Sequence, residues 1–145
     1  MELDSLYQEV ILDHYKKPHH KGVPTGAIQV HHVNPNCGDE ITLSLDIKDG
    51  IVRDLIWDGV GCSISQASAS IMSDLVDGKP VVTAQVALKE FTELMQSKGA
   101  ISGDEDILED AIALAGVSKF PARVKCALLS WMAFKDAAIQ NGVEL

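Results

Sequence analysis

The residues with the most chemical potential in this chain are three cysteines and one neighbouring acid. Cys37 stands in NPNCGDEITL (34–43), Cys62 in GVGCSIS (59–65) and Cys126 in ARVKCALLSW (122–131), and no other cysteine occurs among the 145 residues. An odd number of cysteines cannot be fully paired in disulfides within one chain. A thiolate is both a nucleophile and a metal ligand, and a thiol at a helix N-terminus ionises more readily. Three thiolates drawn together repel one another unless protons or a cation neutralise them. Zn²⁺ does this and takes four ligands in a tetrahedron. Asp39 is the obvious fourth: if 37–39 is extended, residues i and i+2 point the same way, and Gly38 leaves the backbone open to a metal. The competing reading is packing, because cysteine is among the most buried residue types and no CxxC pair anchors a site here. The glycines and turn residues around CGD and GVGC lean towards a metal, but spacing alone leaves both readings open.

The elements that must position these residues follow from periodicity. In SLYQEVILDHYKK (5–17), Leu6, Val10, Ile11 and Tyr15 fall near one helix face, and Pro18 stops the helix. PHHKGVPTG (18–26) has loop composition, and Ile28 and Val30 alternate in a strand over 27–33. EITLSLDIK (40–48) puts Ile41, Leu43, Leu45 and Ile47 on one face of a half-buried strand. Asp49-Gly50 is a hairpin turn, and IVRDLIWDG (51–59) returns. From Ile64 the apolar period becomes helical, with Ser63 as the expected N-cap and Gly78 as the stop. Further helices are expected over about 83–97, with Val86, Leu94 and Met95 in the core, over Asp104–Ala115, and from Pro121 through Ala127, Leu128, Trp131, Phe134 and Ala138.

Strands first and helices later predict an α+β fold: a three-stranded antiparallel sheet covered on one face by helices. The expected organisation is one domain over 1–145. Each cysteine falls at the end, or in the first turns, of an element, and such ends can gather at one edge of a small domain.

Composition narrows the function classes. The net charge is −9 and the pI about 4.8, and no basic run concentrates the few cations, so nucleic acid is not an expected partner. No apolar run reaches the eighteen or so residues of a membrane span, and MELDSLYQEV lacks a basic n-region. The expected location is the cytoplasm, a reducing compartment where free thiols persist.

Taken together, NPNCGDEITL, GVGCSISQASASIMSD, KFPARVKCALLSW and the opening YQEVILDHYKKPHHKG resemble the SufU-type branch of the IscU-like iron–sulfur cluster assembly family, over nearly the whole chain. Two features set the chain apart from the IscU scaffolds. Lys125 stands where they carry a histidine before the third cysteine, and the interval from Cys62 to Cys126 is longer. The resemblance implies the IscU-like fold and a Zn²⁺ held by Cys37, Asp39, Cys62 and Cys126. It implies a pyridoxal-phosphate cysteine desulfurase of the SufS type as partner, whose persulfide sulfur the protein accepts and passes towards a Suf-type assembly complex. Cys37, on a turn rather than a helix, is then the expected acceptor. Arg123, one turn before Cys126, would pair with a partner carboxylate, orient Asp39, or remain solvated.

Two alternatives share these residues. One is a scaffold assembling a [2Fe–2S] cluster on the same cysteines, with iron in place of zinc. The other is a structural zinc module that activates the desulfurase without carrying sulfur. A cysteine hydrolase is not supported, since no histidine is placed to pair with a cysteine. His19 and His20 read as solvated, and His31 and His32 point to opposite strand faces; none of these, nor His14, is an expected zinc ligand. Trp57 and Trp131 fit core positions.

Overall fold

A computed structural model describes residues 5–145. The stretch 1–4, on which part of the N-terminal reading falls, lies outside the described residues. Helix α1 (Ser5–Lys16) leads into strands β1 (Gln29–Asn34), β2 (Asp39–Lys48) and β3 (Ile51–Val60). Helices α2 (Ser63–Val76), α3 (Val81–Gln96) and α4 (Glu105–Leu108), a 3-10 helix (Glu109–Lys119) and α5 (Pro121–Gln140) follow. The sheet is an antiparallel meander in the order β1-β2-β3, and α5 and α2 pack on it, as the α+β expectation had it. Among the described residues, no helix is long and apolar enough to cross a membrane.

Alternation builds the core-facing side of the sheet. Ile41, Leu43 and Leu45 are buried on β2, opposite Trp57 on β3 and Val30 on β1. Asp39 has the same parity as Ile41, so the strand itself aims that carboxylate at the interior. The hairpin turns at Asp49 and Gly50, both at positive φ (56° and 73°), as its two-residue geometry requires. A bulge then changes the phase of β3: Ser44 pairs with Ile56 but Asp46 with Arg53, and Asp54 takes up the extra residue at φ 55°. The inward positions of β3 are therefore Val52, Leu55 and Trp57.

Helix α2 is buried from Ile64 through Ser73. Its alternating serines and alanines let neighbours approach on every side, and Ser68 Oγ donates to the Ala127 carbonyl at 2.6 Å while accepting from Trp131 Nε1 at 3.2 Å. Trp131 in turn stacks on Phe91 at 4.5 Å between centroids. Both tryptophans are core, as expected.

Four expectations need correcting. On α1, Leu6 and Tyr15 are exposed, and the buried pair is Ile11 and His14; His14 tolerates the interior because Ser70 and Asp110 engage its two ring nitrogens. Val86 on α3 is exposed, while Leu94 and Met95 are buried. Cys62, not Ser63, occupies the N-cap of α2. The helix read over Asp104–Ala115 is only one turn of α-helix, followed by a 3-10 helix. Leu108, Ala111, Leu114 and Val117 are buried at a spacing of three, and three residues per turn is the period that keeps them on one face.

Candidate metal centre

The antiparallel register brings the chemical residues together. Asn34 pairs with Asp39 and Glu40 with Val60, so the β1–β2 turn, the start of β2 and the exit from β3 share one end of the sheet. Those segments carry Cys37, Asp39 and Cys62. Helix α5 crosses β1 and β2, and its first turns deliver Cys126 to the same end, where Asn34 Nδ2 lies 4.0 Å from Cys126 Sγ. Proline at the first position of α5 sets where that helix begins, and hence where Cys126 falls.

Ligand atoms of Cys37, Asp39 and Cys126 all lie within 4.8 Å of one another. Cys62 is outside that trio at this spacing but borders it: its backbone N–H donates to Asp39 Oδ1 at 2.9 Å, and its thiol acts on both Cys126 and Arg123. Access is graded. Cys37 is exposed, Cys62 half-buried, and Cys126 and Asp39 fully buried.

The route by which Cys37 meets Asp39 differs from the extended pair expected. Residues 35–38 form a turn, closed by the Cys37 N–H on the Asn34 carbonyl at 3.2 Å, and Gly38 sits at φ 70°. Glycine is needed there for the left-handed backbone that folds the thiol back over the carboxylate.

The electrostatics suit a cation. Asp39 Oδ2 is buried with no hydrogen-bond partner among the described residues, a position that costs roughly 1–3 kcal/mol unless something satisfies it. Burial pushes the Cys126 thiol far above its ordinary range, and Asp39, Cys37 and Cys62 around it add to the push. Arg123 has its pKa raised chiefly by the neighbouring Cys62 side chain and then by Cys126. Its neighbours are thus the thiols, and the group that orients Asp39 is the Cys62 backbone N–H. The sulfurs of Cys37 and Cys126 and the Asp39 carboxylate, buried on one side and open on the other with Cys62 at their border, are donors of the kind a zinc ion takes.

One residue that matters here was not singled out from sequence. A Cβ on Gly61 would run into the Asp39 carboxylate and Ser65 Oγ, so only glycine leaves the carboxylate in place; the repeated glycine in GVGC was its signal. Gly61→Ala is expected to destabilise the protein by about 1–3 kcal/mol and to lower its metal content. Thermal melting and metal analysis of the purified variant check this.

Residues 6–127 match the NifU-like N terminal domain family. The chain belongs to this family. It is 50% identical to the zinc-dependent sulfurtransferase SufU of Bacillus subtilis over 142 residues, 97% of this chain and 95% of that protein. It is 41% identical to the iron–sulfur cluster assembly scaffold protein IscU of Streptococcus pyogenes over 136 residues, 94% of this chain and 84% of that one. In three dimensions it is similar to the crystal structure of an iron–sulfur cluster assembly scaffold protein for the SUF system from Fervidobacterium islandicum. That match has a TM-score of 0.77 at 33% identity and covers 89% of this chain and 93% of the other.

Proposed function

We propose that this chain, as a single domain over 1–145, is a zinc-dependent sulfurtransferase of iron–sulfur cluster assembly, working in the cytoplasm. The observation that carries the reading is the exposed Cys37 thiol on a turn at the rim of a site whose other donors, Asp39 and Cys126, are fully buried. The similarity to the Bacillus SufU supports it. A Zn²⁺ held by Cys37, Asp39, Cys62 and Cys126 would keep the thiols deprotonated.

The reaction is a sulfur exchange. The Cys37 thiolate attacks the outer sulfur of a persulfide on a SufS-type, pyridoxal-phosphate cysteine desulfurase. The sulfur–sulfur bond on the desulfurase breaks, its cysteine leaves as thiolate, and Cys37 now bears the persulfide. One sulfane sulfur moves and no external oxidant or reductant is consumed. A second exchange hands it to a thiol of the downstream Suf-type assembly complex. Cys37 is suited to move because its turn is exposed, whereas Cys126 is fixed in a helix and Asp39 in a strand. Arg123, exposed beside Cys62 and Cys126, puts a positive charge where an anionic persulfide arrives.

The test is metal analysis combined with intact mass. The purified chain is expected to hold about one zinc per chain, and to gain sulfur when mixed with the desulfurase and cysteine. A zinc-loaded chain that stimulates the desulfurase but never gains sulfur would make it a structural activator. A stable, transferable iron–sulfur chromophore on reconstitution would make it a scaffold.

A further inference from the structure

A second cluster of metal-ligating side chains lies away from the thiols. His14 on α1, His19 in the following loop and Asp74 on α2 each offer a ligand atom, all within 4.8 Å of one another. Asp110, on the 3-10 helix, lies 2.9 Å from His14 Nε2. We propose that His14, His19 and Asp74 form a second binding site for a divalent transition-metal ion, with Asp110 beside His14.

The site is separate from the first. Cys62 caps the start of α2 and Asp74 lies twelve residues further on, about 18 Å along the helix axis at 1.5 Å per residue. No single ion bridges them. The proposal is also independent of the sulfurtransferase reading, since it uses none of the same residues.

The surroundings are built as a metal site requires. His14 is buried, at 5% exposure, and its ring is fixed by Ser70 Oγ, 2.7 Å from Nδ1. The same hydroxyl accepts the His19 backbone N–H at 2.8 Å, so one serine positions both histidines, whose rings lie 4.7 Å apart. The loop is pinned again by Trp57 Nε1, which donates to the His19 carbonyl at 2.8 Å. A metal-bound imidazole ordinarily has its other nitrogen hydrogen-bonded to a fixed partner, and Ser70 is that partner for His14.

Without a cation, each imidazole donates its proton to a carboxylate: His14 Nε2–H to Asp110, and His19 Nδ1–H to Asp74 at 2.5 Å. Binding needs only two tautomer shifts. The His14 proton moves to Nδ1 and points at Ser70 Oγ, and the His19 proton moves to Nε2 and points at solvent. Each shift frees a lone pair beside a carboxylate oxygen. Ligands on a tetrahedral ion at about 2.0–2.1 Å stand roughly 3.3 Å apart, so the His19–Asp74 pair opens by under about 1 Å. His20, which contacts Asp74 Oδ1 at 3.3 Å and Asp77 at 3.5 Å, steadies the second carboxylate oxygen. Imidazole with carboxylate selects the borderline ions, Zn²⁺, Fe²⁺ and Co²⁺, over Mg²⁺ or Ca²⁺.

The experiment uses the full chain with its thiol site first filled with zinc, titrated with Co²⁺ by calorimetry and visible absorption. One further equivalent of Co²⁺ is expected, with ligand-field bands but no sulfur-to-cobalt charge transfer. His19→Ala and Asp74→Asn, both at partly exposed positions, are expected to weaken it at least tenfold while leaving the thiol-bound zinc in place. The metal-free melting of both variants is compared with wild type to confirm folding. Absence of the extra equivalent, or an unchanged affinity in both folded variants, overturns the site.

Discussion

Cys37→Ser is expected to accept no sulfur from a SufS-type desulfurase, yet to fold. The thiol is exposed, on a turn whose geometry is set by Gly38 and by the Cys37 backbone N–H rather than by its side chain. A substitution there changes the metal-free fold by within about 0.5 kcal/mol. The proposed sulfur-accepting nucleophile, in contrast, is removed outright, since serine oxygen does not perform the exchange. Intact mass after incubation with desulfurase and cysteine reads the outcome: wild type gains a sulfur, and the variant remains at its own mass. A sulfur adduct on the variant would move the acceptor to Cys62, the other thiol with solvent access. Cys126→Ser is the contrasting control. It puts a hydroxyl at a fully buried position among Asp39, Cys37 and Cys62, so it is expected to lose stability as well as metal.

Asp39→Asn is expected to change the sign of its effect with metal. In the metal-free protein the carboxylate is fully buried, and Oδ2 has no hydrogen-bond partner among the described residues. An amide keeps the oxygen that accepts the Cys62 N–H and replaces the orphan with a neutral donor facing sulfur. The metal-free variant is therefore expected to be more stable than wild type by about 1–3 kcal/mol. With zinc the order reverses, because a carboxylate is a zinc ligand and an amide is a poor one. For wild type, zinc at about a thousand times its dissociation constant adds about 4 kcal/mol, so stripping it lowers the melting temperature by roughly 10 °C. Melting both proteins with zinc and with chelator gives four numbers. A variant that is less stable in both states would show that Asp39 serves the fold and not the ion.

These results would also separate what a sheet-end cluster of thiols does from what holds it together. Cys126 is buried against the sheet and Asp39 is clamped by a backbone N–H, so they are the fixed half of the site. Cys37 is the movable half, held by one turn. The proposed acceptor belongs to the less constrained part, as elements that must move are drawn from the locally weaker parts of a fold.

Much of this was legible in the chain. The alternation of Ile41, Leu43 and Leu45 defined β2 and, by parity, the inward aim of Asp39. Asp49-Gly50 defined the hairpin, Gly78 the end of α2 and Pro121 the start of α5, because backbone geometry at glycine and proline is a local property. The order of elements then required the α+β fold. The motifs around the three cysteines carried the family resemblance, which the similarity over 97% of the chain to the Bacillus protein bears out.

What the tertiary structure decided depends on partners distant in sequence. His14 is not among the residues that the helical period places on the buried face, and it is buried because Ser70 and Asp110, from two other elements, engage its ring. His19 reads as solvated, and it faces Asp74, 55 residues away. Val86 fits a helical apolar period yet is exposed. The Asp54 bulge and the turn to a 3-10 period after Leu108 are compromises between local preference and the face each segment must bury. Above all, that Asp39 Oδ2 lacks a partner beside Cys37 and Cys126 is a property of three segments meeting. Residue types set which donors exist; only the register of the sheet and the path of α5 set how close they stand.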